Sequence, residues 1–178
     1  MVYSRKNIAV RMLFVLFFSV ILFYCDRAGS DAAEGRGALS SKSFTATLHY
    51  VADGDSFVVK TRGKEVAIRL WGIDAPEFDQ PYSNASKNWL EQVLSGNIIT
   101  IFPKYLDRYG RLVAVAEAGN VLVNSSSVAH GCAWVHRYYC KEMICEHWYE
   151  LEEKARRTRA GLWADDAPLE PWVWKTKK

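Results

Sequence analysis

The sequence has no C-x-x-C pair, little net charge, and no uncharged apolar run long enough to cross a bilayer. Each absence excludes something. Without a C-x-x-C knuckle, a zinc site made from Cys132, Cys140 and Cys145 with His136 and His147 lacks the usual ligand spacing. A net charge of only +3 excludes a broad cationic coat, so a polyanionic partner would have to be gripped by a few placed cations and a metal. The apolar stretch "MLFVLFFSVILFYC" is 14 residues long, and extending it to 18 by starting at Ile8 buries Arg11.

What is present suits one globular domain: 178 residues, 49% hydrophobic and 24% charged, neither disordered nor fibrous in composition. The N-terminus stands apart. Arg5 and Lys6 precede the apolar stretch, and the small, polar "DRAGSDAAEGRGALSSKS" follows it, which describes a secretory signal peptide over residues 1–32, cut near Ser30 or Ala32. The alternative is an uncleaved anchor over residues 8–25. Lipid modification of Cys25 is disfavoured by the bulk of Tyr24. Processing would remove four cations and two aspartates, lowering the net charge from +3 to +1.

Export would place the chain in an oxidising compartment. There the close pair in "YYCKEMICEHW", Cys140 and Cys145, can bridge, stabilising by about 2 kcal/mol for so short a loop. Cys132 is left over. Residues 33–42 read as a flexible linker, 43–165 as the folded domain and 166–178 as a C-terminal tail.

From Ser43 the pattern is that of a strand-rich barrel with a few helices. Phe44, Ala46, Leu48 and Tyr50 alternate with Thr45, Thr47 and His49, the period of a half-buried strand that ends at Asp53. "SFVVKTRGKEVAIRLWGID" gives two strands turning at Arg62 and Gly63. "NIITIFP" and "RLVAVAEAGNVLV" supply more, the last turning at Gly119 and Asn120. About five strands result. "SNASKNWLEQVLSG" predicts a helix capped by Ser83 or Asn84 and stopped by Gly96, and "VNSSSVAHG" a short one capped by Asn124 and Gly131.

A long final helix is expected from about Cys145 to Gly161, with Trp148, Leu151 and Ala155 buried. Its acidic first half and basic second half complement the helix dipole, and Glu150–Lys154, Glu152–Arg156 and Glu153–Arg157 fall at i,i+4, which reads as a solvated face. In the tail, Trp172 and Trp174 are expected to dock on the barrel with the lysines trailing.

The chemistry gathers at strand ends. "DGDS" alone is a turn sequence. "RLWGIDAPE", however, brings Arg69, Asp74 and Glu77 to the end of an apolar strand that Pro76 prevents from continuing, where polar groups face a cleft. "LDRYGRLVAV" repeats the design, with Asp107, Arg108 and Arg111 around a Tyr109-Gly110 turn.

Taken together, "DGDS", "RLWGIDAPE" and "RYGR", in this order and followed by "GLW", resemble the staphylococcal nuclease (thermonuclease) family from about Val51 to Trp163. The resemblance implies a mainly β fold with helices, a five-stranded OB barrel with about three α-helices. It implies a Ca²⁺ site formed by the carboxylates of Asp55 and Asp74 and the backbone carbonyl of Ala75, with Asp53 in or near the layer behind them. Glu77 would be the general base on a water, Arg69 and Arg111 would hold the phosphate, and Tyr109, Arg108, Arg137 and Tyr139 would meet the substrate. Arg137 stands near where the family has a substrate-contacting tyrosine, Ser56 and Ala75 stand where it has threonines, and the segment from Glu77 to Asn84 is shorter than its basic loop.

The implied activity is an exported, Ca²⁺-dependent endonuclease acting on DNA and RNA, especially single-stranded, with little sequence preference, leaving 3′-phosphate ends and working as a monomer. The ligand chemistry agrees, because Ca²⁺ favours several hard oxygen donors in a loose shell. The alternative is a non-catalytic OB module that binds single strands or another extracellular ligand. A plain binder would not need every charged position of the set.

Overall fold

The computed structural model describes residues 42–177. The signal peptide, its cleavage point, the anchor alternative and the linker up to residue 41 lie outside the described residues.

The first three strands, β1 (Phe44–Val51), β2 (Ser56–Thr61) and β3 (Lys64–Leu70), form an antiparallel meander. Arg62 and Gly63 join β2 to β3 with φ of 48° and 74°, the two left-handed residues that a tight hairpin turn requires. A short β4 (Ile73–Asp74) leads to helix α1 (Ser83–Leu94). Next come β5 (Ile98–Leu106), β6 (Leu112–Ala118) and β7 (Val121–Leu122). The sheet runs β3-β2-β1-β5-β6-β7, and a parallel pairing of β3 with β6 (Ile68 with Leu112, Arg69 with Val113, Leu70 with Ala114) closes it into a five-stranded barrel.

Alternation decides what fills the barrel. Phe57 and Val59 of β2, Ile68 and Leu70 of β3, and Ile99 and Ile101 of β5 point inward and are buried, as period 2 dictates. Leu90 and Leu94 of α1, one helical turn apart, join the same core. Each such side chain contributes roughly 1.5–3 kcal/mol relative to exposure.

Gly96 and Gly131 follow the ends of the two helices in left-handed conformations, as expected, but the expected N-caps are not the ones used. The residue before α1 is Tyr82 in a left-handed conformation, φ 72°, and no side chain caps the helix. Ser83 instead donates its hydroxyl to the Phe78 carbonyl at 2.9 Å. Helix α2 (Val123–Ala129) contains Asn124 rather than being capped by it. Its buried amide accepts from the Ala116 N–H at 3.0 Å and donates to the Trp71 carbonyl at 2.9 Å, satisfying backbone groups at the end of the barrel.

Strand β8 (Trp134–Val135) pairs with β4, and α3 (Ile144–Arg157) packs behind it. The reading of α3 as an ion-paired solvated face is corrected at Glu152, which is 1% exposed. Its carboxylate accepts from the Val135 N–H at 3.0 Å and faces Arg137 and Arg156 at 3.4 and 3.7 Å. A 3₁₀ turn (Gly161–Ala164) and α4 (Pro171–Thr176) complete the chain. Cys140 and Cys145 are disulfide-bonded, and Cys132 is a buried thiol that burial pushes up to about 12. No described helix is long and apolar enough to cross a membrane.

Candidate active site

The site forms where β2 begins and β3 ends. Asp53 Oδ1 accepts from the Asp55 N–H at 3.0 Å, an Asx turn that fixes Asp55 at the mouth of β2. The Asp55 backbone carbonyl then accepts from the Leu70 N–H at 2.8 Å, locking that turn to the end of β3. Gly54 is required for proximity: a Cβ there would lie 2.7 Å from the Ala75 Cβ and collide with Ser86 of α1. The turn therefore presses directly on the segment that carries Asp74 and Ala75.

Arg69 joins the two acids. One guanidinium nitrogen is 2.8 Å from Asp55 Oδ1 and the other 2.5 Å from Asp74 Oδ1, and both carboxylates are buried. The second oxygen of Asp55 accepts from the Ala75 N–H at 2.6 Å, and Ser56 donates its hydroxyl to the first at 2.9 Å. Burial pushes the Asp55 carboxyl up to about 8 against the pull of Arg69, with Asp53 and Asp74 raising it further. Burial likewise opposes the charge on Arg69, but the surrounding Asp55, Asp74, Asp53 and Glu77 outweigh it and raise its pKa. Acidic groups outnumber the one guanidinium between them.

Arg111 approaches from the barrel seam, one residue before β6. Its Nε is 2.8 Å from Asp107 Oδ2, and one terminal nitrogen donates to the Ser56 hydroxyl at 3.3 Å. Asp107 also accepts from the Tyr109 and Arg111 N–H groups, each at 2.9 Å. Burial raises its carboxyl, but the hydrogen bonds from Arg111 and the Tyr109 N–H bring it below the ordinary value, so it stays ionised and aims the guanidinium. In sequence, Asp107 offered itself only as a turn residue. Ser56, noted in the sequence only as standing where the family has a threonine, touches both Asp55 and Arg111 through its hydroxyl.

Glu77 lies three residues beyond Asp74, outside the sheet, and its carboxylate is 2.7 Å from Lys175 Nζ. Tyr109 is exposed, with Arg108 and Arg111 over its ring at 4.8 and 5.5 Å and its hydroxyl 2.6 Å from Arg108. Tyr139 is also exposed and packs on His136 at 4.6 Å. Burial and the neighbouring Tyr139 raise the Tyr105 phenol, while Arg69 lowers it. Arg137 is not brought to this cluster: its guanidinium faces Glu152 at 3.4 Å and the Tyr149 ring at 4.8 Å.

A divalent cation fits the donors. Asp55 and Asp74 bring two buried carboxylates together on Arg69, the kind of hard oxygen donor a divalent cation takes. Among the described residues no group of three or more His, Cys, Asp or Glu side chains converges as a metal site, so a carbonyl and substrate or water oxygens would have to complete the shell.

The family model described as "Staphylococcal nuclease homologue" matches residues 67–165, more than half of the chain. The chain belongs to the staphylococcal nuclease family. It is 36% identical over 129 residues to an "Uncharacterized endonuclease" of Escherichia coli O157:H7, covering 72% of this chain and 82% of that one. It is 34% identical over 141 residues to the "Micrococcal nuclease" of Shigella flexneri, covering 74% and 80%. With an "Uncharacterized endonuclease" of Haemophilus influenzae it shares 32% over 142 residues, covering 79% and 78%. The five-stranded closed barrel with its helices is the OB fold of that family.

Proposed function

We propose that the protein is an exported, Ca²⁺-dependent endonuclease that hydrolyses phosphodiester bonds of DNA and RNA with little sequence preference and leaves 3′-phosphate ends. The observation that carries this reading is the single guanidinium of Arg69 spanning two buried carboxylates, at 2.8 and 2.5 Å, with Arg111 beside it. A packing arrangement has no use for two buried acids that outnumber their cation. A site for a cation and a phosphate does.

Asp55 and Asp74, with the Ala75 carbonyl, would hold Ca²⁺, and Asp53 would keep Asp55 in register behind them. Bound there, the ion would neutralise negative charge on a non-bridging phosphate oxygen. Arg69 and Arg111 grip the remaining oxygens, and their forks match the charge that grows on the equatorial oxygens as the five-coordinate state forms. Asp107 keeps Arg111 aimed, and Ser56 links it to Asp55. Glu77 takes the proton of the attacking water. The leaving group departs as the 5′ oxygen, leaving phosphate on the 3′ side. Tyr109 and Arg108 stand exposed beside Arg111, where unstacked bases can lie against them, in keeping with a preference for single strands. Export rests on the pattern of residues 1–32.

The deciding experiment incubates purified protein with single-stranded and double-stranded DNA, with Ca²⁺ or with chelator. Cleavage with Ca²⁺ alone is expected. Equal degradation in chelator would remove the metal from the mechanism, and binding without cleavage in either condition would favour an OB binding module.

A further inference from the structure

The tail was expected to dock by its tryptophans with its lysines trailing. It docks on the segment that carries Glu77. The Gln80 side chain accepts from the Glu77 N–H at 3.0 Å and donates to the Leu169 carbonyl at 2.6 Å, so one amide ties the tail to the backbone of Glu77. Trp174 donates its indole N–H to Asp79 at 3.1 Å, and Trp172 packs on His136 at 5.0 Å between ring centres. These contacts set the register of α4, and one residue past Trp174 the ammonium of Lys175 reaches Glu77 at 2.7 Å.

We infer that Lys175 is a third substrate-phosphate contact of this site, delivered by α4 alongside Arg69 and Arg111; the inference rests on the nuclease reading. If Glu77 activates the attacking water, the phosphate oxygens lie about one water molecule from its carboxylate. An ammonium already in contact with that carboxylate, on a flexible four-carbon arm, is within a rotamer change of those oxygens. A lysine needs no fork geometry, because it acts as a point charge.

Its present pairing favours exchange. The Lys175 and Glu77 side chains are 55% and 31% exposed, and pairs so open to water are weakly held. Burial pulls Lys175 down, but the hydrogen bond to Glu77 and the charges of Asp74 and Glu77 more than reverse this, so it remains a cation at neutral pH. Beneath the tail lies a cavity of about 320 Å³, bordered by Gln80, Tyr82, Trp134, Leu169 and Trp174, which leaves α4 room to adjust. Pairing with Glu77 is then the resting position of a cation whose working partner is the substrate.

The test measures kcat and KM on single-stranded DNA with Ca²⁺ across a salt series, for the full chain and for Lys175→Gln, Lys175→Arg and Trp174→Phe. Loss of one phosphate contact should raise KM on the order of fivefold with kcat within about twofold. It should also flatten the dependence of log KM on log salt by about 0.7. Lys175→Arg should restore both. Trp174→Phe removes the bond to Asp79 that helps set the register of α4, so it should flatten the salt slope by no more than Lys175→Gln does. An unchanged slope in Lys175→Gln, or a larger flattening in Trp174→Phe than in Lys175→Gln, overturns the assignment. Faster cleavage by Lys175→Gln also overturns it, because Lys175 would then be a restraint on Glu77. A parent that cleaves no DNA fails at the nuclease reading itself, and the inference falls with it.

Discussion

Glu77 differs from the aspartates near it in what holds it. Asp55 and Asp74 are buried and locked on Arg69, whereas Glu77 is partly exposed and its carboxylate meets Lys175. A group that must turn toward a water and release a proton suits the looser position. Glu77→Gln keeps the shape and the backbone bond to Gln80 but cannot accept a proton. With Ca²⁺ its rate on single-stranded DNA should fall by about 10² to 10⁴ while DNA affinity holds or tightens. A folded variant that cleaves as fast as the parent would remove Glu77 as the base. These residues were legible because each chemical group follows its strand within a few positions, so "DGDS", "RLWGIDAPE" and "RYGR" mark it locally. Lys175 was not legible. Its role depends on contacts such as Asp79 with Trp174, 95 residues apart, which no local pattern encodes.

Among the elements, α3 starts where the sequence put it, ends at Arg157 rather than at Gly161, and is read wrongly on one face. The burial of Trp148 and Ala155 follows from periodicity, but Leu151 is only half-buried and Glu152 lies on the buried side instead. The i,i+4 spacing to Arg156 made it look like a surface ion pair. The orphan N–H of Val135 in a two-residue strand is what the carboxylate answers. Because β8 pairs Trp134 with Asp74, this bond also steadies the strand that bears Asp74. Burial raises the Glu152 carboxyl from its ordinary 4.5, against the Val135 N–H, Arg156 and Arg137. A folded pKa above the unfolded one means that the folded state holds the proton more tightly, so this group's contribution to stability declines as pH rises from about 4.5 through the folded value. Glu152→Gln keeps the acceptor without the titration. Its melting temperature should therefore gain on the parent's as pH rises from 4 to 8; a constant difference would show that Glu152 does not titrate in that range.

At the scale of the molecule, one pairing performs two tasks. Where β3 meets β6, Arg69 lies opposite Val113, two residues after Arg111. The rung that shuts the cylinder thus sets the spacing of the two guanidiniums. It is the parallel pairing of a barrel otherwise built from antiparallel neighbours, three residue pairs long, and parallel rungs are slightly less stable. A molecule that opened there would keep its hairpins, its helices and most of its far-ultraviolet spectrum, yet its two arginines would drift apart. Nuclease activity becomes a gauge of seam integrity, and in a urea titration it should fade at lower concentration than the circular dichroism signal. Coincident curves would mean that the seam yields only when everything else does.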